Sequence, residues 1–207
     1  MSKQIEFFLD FVSPYGYLAN VKLPAIAKKW GIPIKYLPVD VADAKVAAGN
    51  FGPSTRAIPA KRKYIRHDRL RWAALYGVPM NDPKSFRAPR LNSGILYAER
   101  AGLAERYVNA AYHQVWGVGV DPEDDAILAL VARELGWDPL VFLDWVNSQQ
   151  ARDEYGASQR EAEARDVFGV PFISVDNEMY WGNDRLDFLE DYLKRASGSK
   201  VSAGRLA

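Results

Sequence analysis

The chain has 207 residues, 48% hydrophobic and 26% charged, a composition that suits one or two folded domains and excludes a disordered or fibrous polypeptide. Lys and Arg (27) nearly balance Asp and Glu (26), so no global field draws in nucleic acid or an anionic membrane, and neither is an expected partner. Cysteine is absent, which excludes disulfides, thiolate metal sites and a cysteine nucleophile; the two histidines, His67 and His113, form no His-x-x-x-His pair, so no metal site is expected.

Met1-Ser2-Lys3-Gln4 leads straight into a strand pattern. It has no basic segment, apolar stretch and cleavage site of the secretory kind, and no apolar run reaches transmembrane length; the expected location is the cytoplasm. Residues Ile5 to Phe11 are apolar except Glu6 and Asp10, which predicts a buried central strand. Ser13-Pro14 then predicts a helix start, with Ser as N-cap and Pro at the first helical position. That helix should run to about Trp30 and stop at Gly31, with a kink at Pro24. Ile34 to Val39, bounded by Pro33 and Pro38, predicts a second strand and completes a β-α-β unit.

From about Asp40 to Arg165 the pattern is mostly helical. Asp121-Pro122 followed by Asp124, and later Asp138-Pro139, are helix starts, with Gly136 as a stop between them. Ile95 to Trp116 and Gln149 to Arg165 read as further helices. Pro171 to Val175 and Glu178 to Trp181 then predict two short strands joined by an Asp176-Asn177 turn. Asp184 to Lys194 predicts a final helix, and the small, polar tail from Ala196 onward is expected to fray. The order β-α-β, long helical insertion, β-β-α is the thioredoxin arrangement. The fold class is therefore α/β, with residues 1–40 and 166–207 as the thioredoxin-like domain and 41–165 as an inserted helical domain.

Five motifs carry candidate chemistry. Ser13-Pro14-Tyr15-Gly16 follows the first strand, where thioredoxin-fold redox proteins keep Cys-x-x-Cys at a helix N-terminus; the alternative is that Ser13 only caps the helix. Gly169-Val170-Pro171 opens a strand, either with a cis peptide facing the N-terminal site or with an ordinary trans proline. Lys61, Tyr64, Ile65, Asp68, Trp72 and Leu75 share one helical stripe roughly 100° wide, with Arg62, Arg66 and Arg69 on a neighbouring face. Lys61 and Asp68 lie about 10 Å apart along that axis, so each needs another partner, in a ligand, in another helix or in solvent. Trp181-Gly182-Asn183-Asp184-Arg185 precedes the last helix, where Asn183 or Asp184 either caps it or contacts a ligand. Gly49-Asn50-Phe51-Gly52-Pro53-Ser54 lacks the ending of a phosphate-binding loop and reads as a turn.

In this order, Ser13-Pro14-Tyr15, Gly49-Asn50 before the Lys61 helix, Phe168-Gly169-Val170-Pro171 and Trp181-Gly182-Asn183-Asp184-Arg185-Leu186 resemble the 2-hydroxychromene-2-carboxylate isomerases of bacterial naphthalene-type aromatic degradation. Tyr64 to Pro79 and Val115-Trp116-Gly117-Val118-Gly119 extend the resemblance, which covers Ile5 to about Leu193. That family is related to the kappa-class glutathione transferases. The resemblance implies a glutathione-dependent isomerase, with glutathione as cofactor, an aromatic small molecule as substrate and a homodimeric assembly. It implies that Ser13 hydrogen-bonds the glutathione sulfur as the catalytic residue. Val170, ahead of a cis Pro171, would pair its backbone with the cysteinyl part, and Asn183 and Asp184 would contact the γ-glutamyl part. Asn50 and Lys61 would reach the glycyl end, and Lys61, Tyr64, Asp68 and Arg69 would line the substrate pocket. A conjugating glutathione transferase is the alternative activity for the same site.

Overall fold

The computed structural model describes residues 3–203. Met1 and Ser2, at the start of the leading segment, and residues 204–207 of the polar tail lie outside the described residues.

Four strands form one sheet in the order β2-β1-β3-β4. Central β1 (Ile5–Leu9) pairs in parallel with β2 (Ile34–Pro38) and antiparallel with β3 (Phe172–Val175), which pairs antiparallel with β4 (Glu178–Trp181). A parallel neighbour requires a crossover, and α1 (Pro14–Trp30) provides it. β1 is almost wholly apolar because both its faces are covered. Ile5, Phe7 and Leu9 point into the main core, while Phe8 points into a second cluster with Leu37, Phe172 and Val170. The β3–β4 turn falls at Asp176-Asn177 as predicted, with Asp176 in the left-handed region at φ 56°.

α1 runs unbroken through Pro24 and ends at Gly31, whose φ of 62° is the left-handed closure that favours glycine. Between β2 and β3 lie α2 (Val41–Ala47), α3 (Pro59–Tyr76), α4 (Pro89–Arg100), α5 (Ala104–Tyr112), α6 (Asp125–Glu134), α7 (Pro139–Val146) and α8 (Gln149–Ala164). Asp138 caps α7 as its signal predicts, accepting two backbone N–H bonds, and Asp124 caps α6, accepting one, with Asp121-Pro122 in a turn ahead of that helix. The main core joins α1 and the sheet to α4, α5 and α6, so the helical segment is packed onto the strands that carry the site.

The structure corrects three expectations. The predicted helix Ile95–Trp116 is two helices. α4 starts earlier, with Pro89 in its first turn, and the chain turns at Gly102 (φ 67°) before α5. α5 then widens into a π-helical turn, His113–Val118, a form that occurs mostly as single-turn bulges in α-helices, frequently at functional sites. The last helix begins with a 3-10 turn at Asn183–Arg185, and α9 then runs Leu186–Ala203, past Ala196 where fraying was expected. The apolar stripe assigned to the Lys61 helix is out of phase. α3 buries Arg69 and Ala73, with Ile65, Asp68, Trp72 and Tyr76 beside them, and leaves Tyr64 62% and Leu75 71% exposed.

Candidate active site

Ser13 is buried at the N-terminus of α1. Its Oγ accepts from Gly16 N–H at 3.1 Å, so it does cap the helix. The same hydroxyl donates to the Val170 carbonyl at 3.3 Å. The Val170–Pro171 peptide is cis. Gly182 N–H donates to the Pro171 carbonyl at 3.0 Å and ties the start of the last helix to this strand opening. Gly182 adopts φ 111°, and a Cβ there would meet Asp184 Oδ1 at 2.4 Å, so the acidic side chain folds back over a position that only glycine fills without strain. Asn183 is 4% exposed, and its side-chain amide lies beside the Tyr76 hydroxyl of α3. Asp184 is exposed and pairs with Arg185 at 3.2 Å. Neither side chain caps the last helix. Ser13, Val170, Pro171, Gly182 and Asn183 thus form one cluster at one end of the sheet.

Beneath Ser13 the backbone of residues 10–13 is held from all sides. Asp10, at the end of β1, is buried and accepts from Val12 N–H (3.2 Å), Val41 N–H (3.1 Å) and Asn92 Nδ2 (2.9 Å). Asn92 on α4 returns its Oδ1 to Phe11 N–H at 3.0 Å and donates to Tyr155 Oη on α8 at 3.0 Å. Tyr112 Oη donates to the Asp10 carbonyl, Trp116 Nε1 to that of Phe11 and Arg56 Nη2 to that of Val12, at 3.1, 2.8 and 2.6 Å. Burial pushes the Asp10 carboxyl up to about 6, against the lowering effect of its donors. The helical segment therefore sets the shape of the Ser13 loop. These partners were not singled out from the sequence. Asp10 carried a signal as a carboxylate inside an apolar strand; Asn92 and Tyr155 carried none, because they lie 82 and 145 residues further along the chain.

Asp68 finds its partner in the site motif itself: Tyr15 Oη donates to Asp68 Oδ2 at 2.7 Å. Burial, then the bond to Asp68, push the Tyr15 phenol well above its ordinary range, so it stays a neutral donor. Arg69 is paired with Asp82 at 2.5 Å, and its guanidinium lies over the Trp116 ring. Asn50, Lys61 and Tyr64 are exposed on the α2–α3 connection and on α3. Among the described residues, no side-chain hydrogen bond or ion pair joins them to the Ser13 cluster. Lys61 and Tyr64 instead line a surface hollow with Thr55, Ala60 and Ile65.

A buried hydroxyl thus stands at a helix N-terminus and faces a backbone carbonyl of the neighbouring strand opening in a thioredoxin-like sheet. Comparison with known proteins agrees with the architecture. Residues 4–194 match the model of the DSBA-like thioredoxin domain. A 2-hydroxychromene-2-carboxylate isomerase of Sphingobium xenophagum is 46% identical, over 93% of this chain and 99% of its own length. The chain belongs to the 2-hydroxychromene-2-carboxylate isomerase family. A further isomerase of that name, from Pseudomonas putida, is 40% identical over 92% of this chain and 94% of its own length. The solved structure of a 2-hydroxychromene-2-carboxylate isomerase superposes with a TM-score of 0.92 at 39% identity, covering 96% of this chain and 98% of that one. More distant relatives include the glutathione S-transferase kappa 2 of Caenorhabditis elegans, 26% identical over 92% of each chain. The isomerase family thus spans both the strands and the helices that hold the Ser13 loop.

Proposed function

We propose that the chain is a glutathione-dependent isomerase that interconverts 2-hydroxychromene-2-carboxylate and trans-o-hydroxybenzylidenepyruvate in bacterial naphthalene-type catabolism, working in the cytoplasm as a homodimer. The observation that carries this reading is the Ser13 hydroxyl, buried at the N-terminus of α1 against Val170 in a chain without cysteine. The names of its relatives support the reaction.

The residues present fit glutathione. The buried Asn183 amide, at the start of the last helix beside the Ser13 cluster, suits a γ-glutamyl acceptor, and Asp184 next to it suits the γ-glutamyl amine. Val170 offers a backbone edge for the cysteinyl part, and Asn50 and Lys61 suit the glycyl end. When bound, glutathione supplies a thiolate able to add reversibly to a conjugated double bond and so permit its rotation.

The chain's own contribution begins at Ser13. Its O–H, which donates to the Val170 carbonyl, redirects to the sulfur and stabilises the charged form. A thiol of ordinary pKa about 8.5 needs roughly 2.7 kcal/mol to drop two units. One hydrogen bond to a charged group contributes about 1.5–3 kcal/mol, and the α1 N-terminus adds up to about 1 kcal/mol. These two effects suffice without a histidine base. Tyr15, held neutral and oriented by Asp68 in the first turn of α1, presents a polar aromatic surface, and Asp68 with Arg69 and Tyr64 bounds the substrate side.

A kappa-like transferase that conjugates glutathione to electrophiles is the second reading, favoured by the kappa relatives. Counting free thiol during turnover of 2-hydroxychromene-2-carboxylate separates the two. Isomerisation leaves glutathione undiminished after many turnovers, whereas conjugation consumes one thiol per substrate.

A further inference from the structure

Arg56 sits in a 3-10 turn, Thr55–Ala57, between α2 and α3. Its Nη2 donates to the Val12 carbonyl at 2.6 Å, one residue before Ser13. The guanidinium lies 3.7 Å from the centre of the Phe86 ring. Phe86 in turn packs against Trp116, the residue that holds the Phe11 carbonyl. Among the described residues Arg56 has no ion pair, and the Val12 carbonyl is the acceptor its side chain reaches. A guanidinium carries five N–H donors in a fixed fork that matches a carboxylate, so most of its hydrogen-bonding capacity is unused.

The charge around it is unbalanced. Arg69 and Lys45 are electrostatic neighbours of Arg56. Facing these three cations are Asp82, paired to Arg69 on a half-exposed side, and Asp10, buried and bonded to its own donors. Burial lowers the Arg56 guanidinium to about 10, and Arg69 contributes in the same direction, so an anion arriving here relieves repulsion as well as forming bonds. Lys61 is exposed, and the Arg69 charge is paired with Asp82 although its Nε has no partner, which leaves Arg56, among the described residues, as the cation that bonds the Ser13 loop without an ion pair.

We propose that Arg56 binds the carboxylate of the aromatic substrate, with its fork on the two oxygens and the ring system against Phe86, which is 40% exposed. This rests on the proposed isomerase reading, which supplies a substrate with both a carboxylate and an aromatic ring. Glutathione also carries carboxylates, and the test distinguishes the two sources.

The test is direct binding, followed by tryptophan fluorescence, of three unreactive probes to the full chain and to its Arg56→Met and Arg56→Lys variants. The probes are chromone-2-carboxylate, its neutral carboxamide and S-methylglutathione. Arg56→Met is expected to weaken chromone-2-carboxylate about 10- to 100-fold, the loss of a charge-assisted bond. It should leave the carboxamide and S-methylglutathione within about twofold. Arg56→Lys keeps the charge without the fork, and should recover part of the carboxylate affinity. Should Arg56→Met fail to fold, a selective loss of carboxylate over carboxamide in Arg56→Lys carries the same meaning. Equal losses for carboxylate and carboxamide would make Arg56 a packing residue and overturn the proposal. Loss confined to S-methylglutathione would assign the site to the cofactor and overturn it too, as would failure of the parent chain to bind chromone-2-carboxylate. These measurements need no turnover, so they stand apart from the outcome for isomerase activity.

Discussion

The Ser13 hydroxyl and the Val170 carbonyl meet at 3.3 Å although 157 residues separate them along the chain. The contact joins the N-terminus of α1 to the cis peptide that opens β3. Ser13 is therefore both a helix cap and a donor with one movable proton. Ser13→Ala should lower stability by about 1 kcal/mol through the lost cap. It should also raise the pKa of bound glutathione by about one to two units. Turnover near neutral pH should fall roughly 10- to 100-fold, and the deficit should shrink at higher pH, where the thiol ionises unaided. Rate–pH profiles of both proteins decide the matter: a variant that melts earlier but keeps the parent profile would leave Ser13 with the capping role alone.

Gly16 is fixed by a neighbour invisible in its own motif. A Cβ at this position would stand 2.3 Å from Tyr112 Oη and 3.3 Å from Ser13 Cβ. Tyr112 is fully buried and holds the Asp10 carbonyl, so it cannot swing away freely. Gly16→Ala should cost about 1–3 kcal/mol through overpacking. Tyr112→Phe removes the obstructing hydroxyl, so the double variant should lose less than the sum of the two single changes. Urea unfolding of the four proteins tests this, and strict additivity would contradict the contact.

Asp10 makes stability depend on pH in a defined direction. Its carboxyl is raised to about 6 in the folded chain, against an ordinary value of 3.8. Between these limits the folded state holds more protons than the unfolded state, so this group's contribution falls as pH rises through about 4 to 6 and then levels off. Asp10→Asn removes that dependence. It also turns an amide donor toward one of three N–H groups, a cost independent of pH. The stability difference should therefore move in favour of Asn by up to about 3 kcal/mol between pH 4 and pH 7. Unfolding titrations across that range check it; a difference that stays constant would show that Asp10 titrates normally.

Asp184 lies outside the cap of the last helix, which has no side-chain cap bond. Asp184→Ala should leave the melting temperature within about 1–2 °C of the parent, as for a surface change. Its expected effect is to weaken apparent glutathione affinity roughly tenfold by removing one charged contact, with little loss of rate at saturating glutathione. Unchanged affinity in a glutathione titration would remove Asp184 from the site.

Local chemistry made part of this molecule legible in its sequence. Ser13-Pro14 start α1, Gly31 ends it, and Asp176-Asn177 turn the last hairpin, because caps and turns are decided by a few adjacent residues. The cis Val170–Pro171 bond agrees with what the family resemblance implies, where the motif alone left cis and trans open. What was not legible depends on distant partners. The apolar residues of α3 are spread around the helix among its charged ones, so its pattern did not fix its phase. The Arg69–Asp82 pair and the Tyr15–Asp68 bond set the buried face, turning Tyr64 and Leu75 outward. Likewise, nothing adjacent to Asn92 or Arg56 signals that each reaches the backbone beside Ser13. The break at Gly102 was obscured because helical residues continue on both sides of it.

The central claim is that this cysteine-free chain works with an imported thiol, and one measurement bears on it most directly. Enzyme freed of glutathione, as verified by mass spectrometry, is mixed with 2-hydroxychromene-2-carboxylate and followed by ultraviolet absorbance before and after a catalytic amount of glutathione is added. The predicted result is near-zero isomerisation at first, then many turnovers per glutathione after addition. Full activity in the glutathione-free enzyme would contradict the account.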